Sequence, residues 1–383
     1  MGLNNNRIVY LCYRRFPDTN FENYSKFTAD SGFDVSIISY LSPGQRIFER
    51  NGNRKIFRIA LQNCKSKRKK YIKFLLDAIH ILKIYEFDII HIHHSCSYFL
   101  LYKLLLRKKC KFIFHITSYP ISKNSIEKYK KMILIYFQSL FMDRIIIQSI
   151  ELKERLIGIR NICKSKIVPV GFNSKLFIEN SIEFKKKIRE TLNFKNDSEI
   201  LVYCGAISKF RKLHILIKAF AKVIDICPNV KLLMIGFGDY YESLKKFAKK
   251  NLVAKNIIFT GKIEQKKVAQ YLCAADIGLS FVPINENYNY NPPLKTFEYL
   301  ACGLPTIATK TVSNSKIIEN HYNGILVKDN ADEIAINILK LLRDQNKLSR
   351  LRDNSRASIL KYDYEIITKS DLIPIYEELL LTK

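Results

Sequence analysis

Residues 287–310, NYNYNPPLKTFEYLACGLPTIATK, contain the pattern on which the predicted fold rests. Two prolines precede a short amphipathic segment, and proline suits the first turn of a helix because its missing N–H is not needed there. A Gly-Leu-Pro turn follows, and then a β-branched run. The stretch therefore predicts a loop, a helix and a strand in close succession, as in α/β proteins.

Strand-like runs alternate with helical patterns on both sides of this stretch. Nearly continuous β-branched strands separated by helices are typical of parallel sheets covered on both faces. Two such series are present, and we predict an α/β protein of two Rossmann-like domains that face a central cleft. The runs of the first series are RIVYLCY, DVSIISY, FDIIHIHH, KFIFHIT, RIIIQS and KIVPV, and those of the second are EILVYCG, VKLLMIG, NIIFTG, DIGLSFV, PTIAT and GILV.

The length of 383 residues also favours two domains, because single cores stop growing at about 250 to 300 residues. We place the N-terminal domain at residues 1–170 and the C-terminal domain at residues 171–365, with a linker near VGFNSKLF. The last helical pattern lies in residues 366–383. The local sequence does not show whether it packs on the second domain or returns to the first.

The composition indicates a globular protein of a reducing compartment. Hydrophobic residues make up 48% of the chain, which is ample for packed cores. The nine cysteines are scattered, without a CxxC pair or a His and Cys cluster at metal spacing, so we expect free thiols and no bound metal. We find neither a signal peptide nor an apolar run of about 20 residues, and we expect a cytoplasmic protein.

The net charge of +29 is concentrated in the first half, where residues 1–170 contain 31 Lys and Arg against 12 Asp and Glu. A cluster of these cations in residues 65–73 flanks an apolar stripe at helical spacing, the pattern of an interfacial helix on an anionic membrane. The alternative is a helix that packs on the core. We find no nucleic-acid-binding motif beside the charge and expect no nucleic-acid partner. The stripe consists of Ile72, Leu75, Leu76, Ile79 and Leu82.

The helix that follows Pro292 and Pro293 is suited to bind an anion. Its apolar positions form one stripe, which leaves Lys295 and Glu298 together on another face. The free amides of Leu294 and Lys295 could hold a phosphate, with help from the helix dipole and the lysine. The alternative is a solvent-exposed ion pair between the two charged side chains.

A second basic cluster follows the first strand of the C-terminal domain. Gly205 ends that strand, and Lys209, Arg211 and Lys212 lie in the loop before an amphipathic helix. Cations at a strand end beside a helix start suit a diphosphate. Because ligands bind beyond the carboxyl ends of strands in open parallel sheets, we expect both clusters at one site. A solvated charge run is the alternative.

The order of these motifs is similar to that of a known family. Gly205…Arg211, then MIGFGD, IIFTGKI, AADIGLSFVP, PPLKTFEYLACGLPTIAT and KIIENHYNGILV, resembles the nucleotide-binding domain of the retaining GT-B glycosyltransferases of family 4. The resemblance covers nearly all of residues 199–345, whereas the amino-terminal half matches more by pattern than by motif. It implies transfer of a sugar from a nucleotide-diphosphate sugar to a hydroxyl, without a metal ion or another cofactor.

The resemblance also assigns binding roles to individual residues. The sequence departs from the family in the basic loop, because Ala206 stands where an arginine is usual and Lys212 replaces a glycine. Diphosphate binding then depends on a shifted basic set, of which Arg211 is the main member. The diphosphate is assigned to Arg211, Lys212, Leu294 and Lys295, and the base to Lys262 and Ile263.

The family's paired-glutamate motif is only half present. Its second acid is Glu298, which is expected to hold the ribose, whereas its first position is Tyr290. The usual carboxylate contact with the donor sugar is therefore missing, and Asn289, Asn291 or Glu286 is the leading substitute. The donor-sugar site is placed at Tyr290, Asn291 and Pro293.

In the N-terminal domain, KFIFHITSY places His115 just past a strand, in the cleft. His115 resembles the family's histidine that contacts the donor sugar near the reacting carbon, and it joins Arg211 as a residue assigned to catalysis. The alternative is a structural histidine. His91, His93 and His94 are competitors without a metal-ligand geometry.

These assignments predict a retaining, metal-independent glycosyltransferase of hexosyltransferase type. The leaving β-phosphate oxygen, stabilised by Arg211 and the amides near Lys295, takes the proton of the acceptor hydroxyl. We expect a glycan or lipid-linked acceptor of bacterial envelope polysaccharide synthesis. The protein would reach it at the inner face of the cytoplasmic membrane through its basic N-terminal domain. Two alternatives stay open: a sugar-nucleotide 2-epimerase on the same fold, and a non-catalytic module that binds a nucleotide sugar or a membrane.

Overall fold

The computed structural model describes residues 6–16, 19–96, 110–122, 124–156, 163–178, 182–195 and 198–382. The chain divides into two compact units. The first, called unit 1, consists of residues 1–171 and 364–383, and the second, called unit 2, of residues 172–363. Each unit is built around its own sheet.

Unit 1 contains eight strands: β1 (Arg7–Arg15), β2 (Asp34–Tyr40), β3 (Phe48–Asn51), β4 (Arg54–Ile59), β5 (Ile89–His93), β6 (Lys111–Ile116), β7 (Arg144–Ile147) and β8 (Ser165–Ile167). They form one sheet in the order β3-β4-β2-β1-β5-β6-β7-β8. Neighbours are parallel except β3 and β4, which pair antiparallel at one edge. The helices in the described part of its first segment are α1 (Thr19–Asp30), α2 (Lys67–Ile84), α3 (Ser125–Ser139) and α4 (Ile150–Leu156).

Unit 2 contains six parallel strands in the order β11-β10-β9-β12-β13-β14. The strands are β9 (Ile200–Cys204), β10 (Lys231–Ile235), β11 (Ile257–Gly261), β12 (Ile277–Ser280), β13 (Thr306–Thr309) and β14 (Gly324–Val327). The helices are α5 (Ile182–Thr191), α6 (His214–Ile224), α7 (Tyr241–Lys250), α8 (Gln265–Cys273), α9 (Leu294–Ala301), α10 (Asn314–Ile317), α11 (Ala331–Arg343) and α12 (Gln345–Ile359).

The chain leaves unit 1 and returns to it at neighbouring points. The N–H of Phe172 donates to the carbonyl oxygen of Tyr362 at 3.1 Å, and Phe172 forms a β-bridge with Asp363. The returning segment consists of α13 (Tyr364–Ile367), a π-helical turn (Thr368–Leu372) and α14 (Ile373–Leu381). The final helices are therefore part of unit 1.

The short hairpin of β3 and β4 is a part of the fold that the sequence analysis missed. Its two-residue turn consists of Gly52 and Asn53, and Gly52 has a φ of +57°, which favours a residue without a Cβ atom. A Gly-Asn pair beside an alternating run such as RKIFRI is a known hairpin signal. The hairpin adds one antiparallel pair at the edge of the unit 1 sheet, whose other neighbouring strands are parallel as expected.

The burial of helix α2 contradicts the expectation that its apolar stripe lies on a membrane surface. Leu75, Ile79 and Leu82 are buried, together with Phe74 and Ala78, in the core of unit 1. Only two of the five predicted stripe residues, Ile72 and Leu76, are exposed, at 45% and 57%. The stripe packs on its own sheet because that contact removes most of its apolar surface from water. Within the described ranges, no helix has the length and apolar character needed to cross a membrane.

Candidate functional site

Close backbone contacts join the loops at the carboxyl ends of the unit 2 strands. Gly236 follows β10 with a φ of +140°, and a Cβ atom there would lie 1.9 Å from the carbonyl oxygen of Gly205, which follows β9. Only glycine at position 236 permits this approach. The N–H of Gly236 also donates to the carbonyl oxygen of Gly261 at the end of β11, at 3.0 Å. The loops after β9, β10 and β11 therefore form one continuous edge.

The basic cluster after β9 lies at this edge. Lys209–Arg211 form a 3₁₀ turn. The guanidinium carbon of Arg211 lies 4.3 Å from the centroid of the Tyr288 ring, a cation–π contact that orients the side chain. Tyr288 is buried, whereas Arg211 is partly exposed. The Arg211 charge is thus held in place and remains accessible to a ligand.

Lys212 follows the 3₁₀ turn in the left-handed conformation, with a φ of +49°. The family resemblance implies glycine at this position, and the conformation suits one, because a residue without a Cβ atom adopts it without strain. The Lys212 side chain is exposed, as is Ala206 earlier in the loop. Lys212 therefore adds an accessible cation, although its left-handed backbone conformation is strained.

Helix α9 begins after its N-cap residue Pro293 and is largely enclosed by unit 2. The side chain of Lys295 is buried, with 7% of the residue exposed. Its ammonium group donates to the carbonyl oxygen of Phe281 at 2.7 Å and lies 4.1 Å from the centroid of the Tyr203 ring. The alternative of a solvent-exposed ion pair with Glu298 is therefore wrong.

Polar residues of α9 outside its apolar stripe are held by hydrogen bonds to neighbouring elements. The hydroxyl of Thr296 bonds to that of Ser280 at the end of β12, at 2.6 Å. The phenol oxygen of Tyr299 accepts a hydrogen bond from the backbone N–H of Cys204 at 2.6 Å. These contacts fix the start of α9 beside the ends of β9 and β12.

Arg211 and Lys295 lie close enough for the charge of Arg211 to act on the ammonium group of Lys295, and we call these two residues the cation pair. Burial lowers the pKa of Lys295 well below its usual value, and the charge of Arg211 lowers it further. A bound anion would oppose both effects and favour the charged ammonium. The arrangement therefore suits a phosphate or diphosphate.

Glu298 lies one turn into α9, beside the cation pair. Burial raises the pKa of its carboxyl group to about 7, although the charge of Lys295 acts in the opposite direction. The group therefore titrates near neutral pH. As a carboxylate it could accept hydrogen bonds from two neighbouring hydroxyls, which is the role expected from the sequence.

The residues expected around the donor sugar lie in the loop between β12 and α9. Asn289 and Asn291 hold this loop: Oδ1 of Asn289 accepts from the N–H of Val312 at 2.9 Å, and Nδ2 of Asn291 donates to the carbonyl oxygen of Asn287 at 2.7 Å. Tyr290 is partly exposed and Pro293 is buried. Glu286, the acidic residue among the three expected substitutes for the missing glutamate, is exposed.

The residues expected to bind the base follow β11 directly. Lys262 is exposed and Ile263 is partly exposed. The backbone bond from Gly236 to Gly261 places them at the same edge as the loop after β10. Unit 2 thus presents all of its predicted donor-binding residues on loops and helix starts at or near the carboxyl ends of its strands.

The position of His115 differs from the expectation. It lies within β6 rather than after it, and it is 0% exposed. The rings of Phe21 and Tyr24 pack beside it. A side chain enclosed in this way cannot touch a sugar, so the placement of His115 just past the strand was wrong. The first residue after β6 is Thr117.

His115 ends a buried series of hydrogen bonds that we call the Tyr–His chain. Burial lowers the pKa of His91 to about 3 and that of His115 well below its usual value, so both imidazoles are neutral at pH 7. The Nε2 atom of His115 has no hydrogen-bond partner in the described structure. From one end to the other, the members are Thr28, Tyr10, Tyr376, His91 and His115, with hydrogen bonds of 2.9, 2.7, 2.6 and 3.0 Å.

Comparisons with known proteins agree with this architecture. The family model described as Glycosyltransferase Family 4 matches residues 21–174, and the model described as Glycosyl transferases group 1 matches residues 184–358. The chain belongs to glycosyltransferase family 4. It therefore has the GT-B fold and is a glycosyltransferase that uses a nucleotide sugar.

Three relatives show the range of the similarity to this glycosyltransferase. An uncharacterised glycosyltransferase of Methanocaldococcus jannaschii is 26% identical, with 91% of this chain and 90% of that protein covered. The alpha-monoglucosyldiacylglycerol synthase of Acholeplasma laidlawii is 24% identical, and the match spans 59% of this chain and 56% of that enzyme. The structure of sucrose-phosphate synthase from Thermosynechococcus elongatus superposes with a TM-score of 0.83 at 18% identity, with 99% and 100% of the chains covered.

Several residues of the candidate site were missed by the sequence analysis. Tyr203 and Tyr288 provide the ring faces that hold the cation pair, and Phe281 provides the carbonyl oxygen that accepts from Lys295. Tyr203 lies within the apolar run LVYCG, where an aromatic residue signals only a buried strand. Within the described residues, no group of three or more His, Cys, Asp or Glu is arranged to hold a metal ion.

Proposed function

We propose that this glycosyltransferase moves a sugar from a nucleotide-diphosphate donor to a hydroxyl acceptor with retention of anomeric configuration. The observation that carries the proposal is the cation pair. Arg211 and Lys295 converge at the carboxyl edge of the unit 2 sheet, and within the described residues neither forms an ion pair with a carboxylate. Buried or oriented cations without an acidic partner favour an anionic ligand.

In the proposed reaction, the bond between the anomeric carbon and the β-phosphate oxygen breaks, and its electron pair remains on that oxygen. Arg211, Lys212 and Lys295, with the amides at the start of α9 from Leu294, stabilise the negative charge that develops there. The same oxygen accepts the proton of the acceptor hydroxyl, whose oxygen bonds to the face that the phosphate leaves. We propose that these cations perform the neutralisation without a metal ion.

The remaining donor contacts follow the same arrangement. We assign the ribose hydroxyls to the Glu298 carboxylate and the base to the segment after β11, Lys262 and Ile263. The transferred sugar is assigned to the loop before α9, at Tyr290, Asn291 and Pro293. We assign no direct sugar contact to His115, because its side chain is enclosed.

Two alternatives give different products. A 2-epimerase would convert a nucleotide sugar to its epimer without an acceptor, and a non-catalytic module would bind the nucleotide sugar unchanged. Thermal stabilisation by a panel of nucleotide sugars first identifies the donor, because a ligand that binds the folded state raises the unfolding midpoint. Nuclear magnetic resonance of that donor with and without an acceptor then distinguishes transfer with retention from epimerisation, inversion or no reaction.

We also propose peripheral binding to the inner face of the cytoplasmic membrane, through α3 rather than α2. Ile126, Tyr129, Ile133 and Phe137 lie at spacings of three and four residues on α3, and each is between 50% and 67% exposed. We call them the apolar α3 face. Lysines on the same helix supply charge that suits anionic lipid headgroups.

Liposome flotation tests this membrane contact. We expect recovery with anionic vesicles and much less with zwitterionic ones. The double change Ile133→Ser and Phe137→Ser should abolish flotation, whereas Ile226→Ser on unit 2, which is 53% exposed, should not. Equal flotation of the double variant would reject α3 as the contact.

The acceptor proposed here is a glycan or lipid-linked intermediate of bacterial envelope polysaccharide synthesis, such as lipopolysaccharide or capsule. The name of the Acholeplasma relative, a monoglucosyldiacylglycerol synthase, supports a lipid-associated acceptor. Transfer to extracted membrane lipids, followed by mass spectrometry of the product, tests this part. Transfer only to water-soluble acceptors would contradict it.

A further inference from the structure

Unit 1 contains a cavity of about 360 Å³ for which the assignments above provide no ligand. It lies at the carboxyl ends of β1, β5 and β6, with α3 as one wall. Its volume lies in the range of about 300 to 1,000 Å³ that is usual for small-molecule sites. The lining residues that matter below are Arg14, His94, Tyr119, Lys131, Ile135 and Gln138.

Gln138 is the lining residue that most directly indicates a ligand. It is 2% exposed, and its Oε1 atom has no hydrogen-bond partner in the described structure. Buried amide oxygens are nearly always paired, because an unpaired one loses its hydration without compensation. Because Gln138 lines the cavity, a turn of its amide group would let this oxygen accept a hydrogen bond from a hydroxyl group of a bound molecule.

Two cations give the cavity its charge. Arg14 lies near the end of β1, and Lys131 lies on α3. Lys131 pairs with Glu127 one turn away at 2.7 Å, but both side chains are about half exposed, and ion pairs of this kind contribute little. Lys131 can therefore turn toward an anion in the cavity at low cost.

His94 adds no positive charge to the cavity at neutral pH. Burial and the charge of Arg14 lower its pKa to about 3. Its Nδ1 atom accepts a hydrogen bond from the N–H of Thr117 at 3.2 Å. His94 is therefore a neutral lining residue, and the lining residues that carry positive charge are Arg14 and Lys131. The ammonium group of Lys128 lies outside the lining, 4.7 Å from the centroid of the Tyr119 ring.

The remaining wall is apolar and continues to the surface. Tyr119 and Ile135 are buried in it, and Ile121, which is 38% exposed, lies at its outer part. The same helix that lines the cavity through Lys131, Ile135 and Gln138 carries the apolar α3 face on another side. A hydrocarbon chain could therefore leave the cavity along apolar surface.

We infer that this cavity binds the acceptor as an amphiphile that carries a phosphate group. The phosphate lies between Arg14 and Lys131, a hydroxyl near it donates to Oε1 of Gln138, and the hydrocarbon part lies along Tyr119, Ile121 and Ile135. The identification of this ligand as the acceptor rests on the proposed glycosyltransferase function. The binding site itself rests on the unit 1 residues alone.

Calorimetric titration of the full chain tests the inference with three probes. Dihexanoyl phosphatidylglycerol, used below its micelle concentration, has the phosphate, hydroxyl and acyl groups together. Glycerophosphoglycerol lacks the acyl chains, and hexyl glucoside lacks the phosphate. We expect each of the last two to bind at least about tenfold more weakly than the first. Equal affinity for glycerophosphoglycerol would overturn the lipid part, and equal affinity for hexyl glucoside would overturn the phosphate site.

Single substitutions locate the probe within the cavity. Arg14→Gln and Lys131→Gln should each weaken binding of the phospholipid by about tenfold. Lys130→Gln removes the same charge from an exposed neighbour on α3 that is not among the cavity residues, and it should leave the affinity within about twofold. Equal losses in Lys130→Gln and Lys131→Gln would show a general charge effect and overturn the site.

Gln138→Leu separates a ligand contact from a structural role. It should weaken phospholipid binding and also raise the unfolding midpoint of the ligand-free protein, because it removes a buried amide oxygen without a partner. A lower midpoint with unchanged binding would overturn the role of Gln138. Nucleotide-sugar binding is measured on the same samples: if it persists where no phospholipid binds, this inference fails and the proposed function stands. If neither ligand binds, both fail.

Discussion

The two sheets bury polar groups in opposite ways. In unit 1, the Tyr–His chain consists of neutral hydroxyl and imidazole groups that bond to one another. In unit 2, the cation pair brings two positive groups together, and Glu298 beside it has its pKa raised to about 7 by burial. Neutral groups that bond to one another stabilise a fold, whereas cations held close together without a carboxylate partner indicate an anionic ligand.

The largest effect is expected from the cation pair. Arg211→Ala should lower the turnover number for sugar transfer by about 100-fold or more, because a group that stabilises the leaving phosphate acts mainly in the transition state. The unfolding midpoint should change little, since the side chain is partly exposed. Arg350→Ala, an exposed arginine of the same unit, is the matched control. Near-normal transfer by Arg211→Ala would show that the cation pair does not stabilise the leaving phosphate, and the contrast between the two units would no longer hold.

Acid should act on unit 1 through the Tyr–His chain. The unfolded chain binds a proton on His91 below a pKa of about 6.5, whereas the folded chain does so only near a pKa of about 3, because burial disfavours the charged form. Stability is therefore lost as the pH falls below about 6.5, and His91 alone contributes a loss of about 2 kcal/mol at pH 5.

Urea unfolding followed by circular dichroism at pH 7.5 and pH 5 measures this loss. In His91→Phe the pH dependence should be smaller, even though the variant is less stable at both values. His321→Phe changes an exposed histidine of unit 2 and should keep the full dependence. An unchanged slope in His91→Phe would mean that the buried imidazole does not cause the acid sensitivity.

Nucleotide-sugar binding in unit 2 should show a pH dependence that arises from Glu298. Its pKa is about 7, so the carboxyl group is mostly protonated at pH 6 and mostly ionised at pH 8. If the carboxylate accepts the ribose hydroxyls, affinity should rise by up to about tenfold over this range. Calorimetry with the intact donor is suitable, because its diphosphate does not titrate there. The rise should vanish in Glu298→Gln and persist in Glu319→Gln, which changes an exposed residue.

The smallest effect concerns the backbone beside Arg211. Lys212→Gly should stabilise unit 2 by about 1 kcal/mol, since it relieves a left-handed conformation. Donor affinity should fall at the same time if the exposed ammonium group contacts the diphosphate. Lys209→Gly, in the same basic loop but within the 3₁₀ turn, should show no such gain. Stabilisation with unchanged affinity would remove Lys212 from the site.

The sequence predicted the parts of the fold that repeat a local signal. The β-branched runs identified most strands, and the order of motifs predicted that Arg211 and Lys295 belong to one site. The β3 and β4 hairpin was missed because its strands are short and largely polar. The burial of Lys295 could not be read from the helical pattern, since charged residues normally mark the solvent face and here a ring and a carbonyl group cover it.

Other differences depend on contacts between distant residues. The position of His115 was wrong by a small shift along the strand, and only its bond to His91 shows that the side chain faces inward. The partner of His91 on its other side is Tyr376, which is 285 residues away. In α2, the number of cations favoured a membrane contact, but Phe74 and Ala78 complete a stripe that faces the core. The spacing of apolar residues shows which face of a helix is apolar, but it does not show what that face packs against.

The return of the chain at Tyr364 to unit 1 has a consequence for synthesis on the ribosome. Unit 2 is continuous, so it can fold once its own residues have left the exit tunnel. Unit 1 begins to emerge before unit 2, but it lacks Tyr376, which bonds to Tyr10 and His91, until residues 364–383 are translated. Unit 1 is therefore started before unit 2 and completed after it, and its nascent strands need protection while unit 2 is being made.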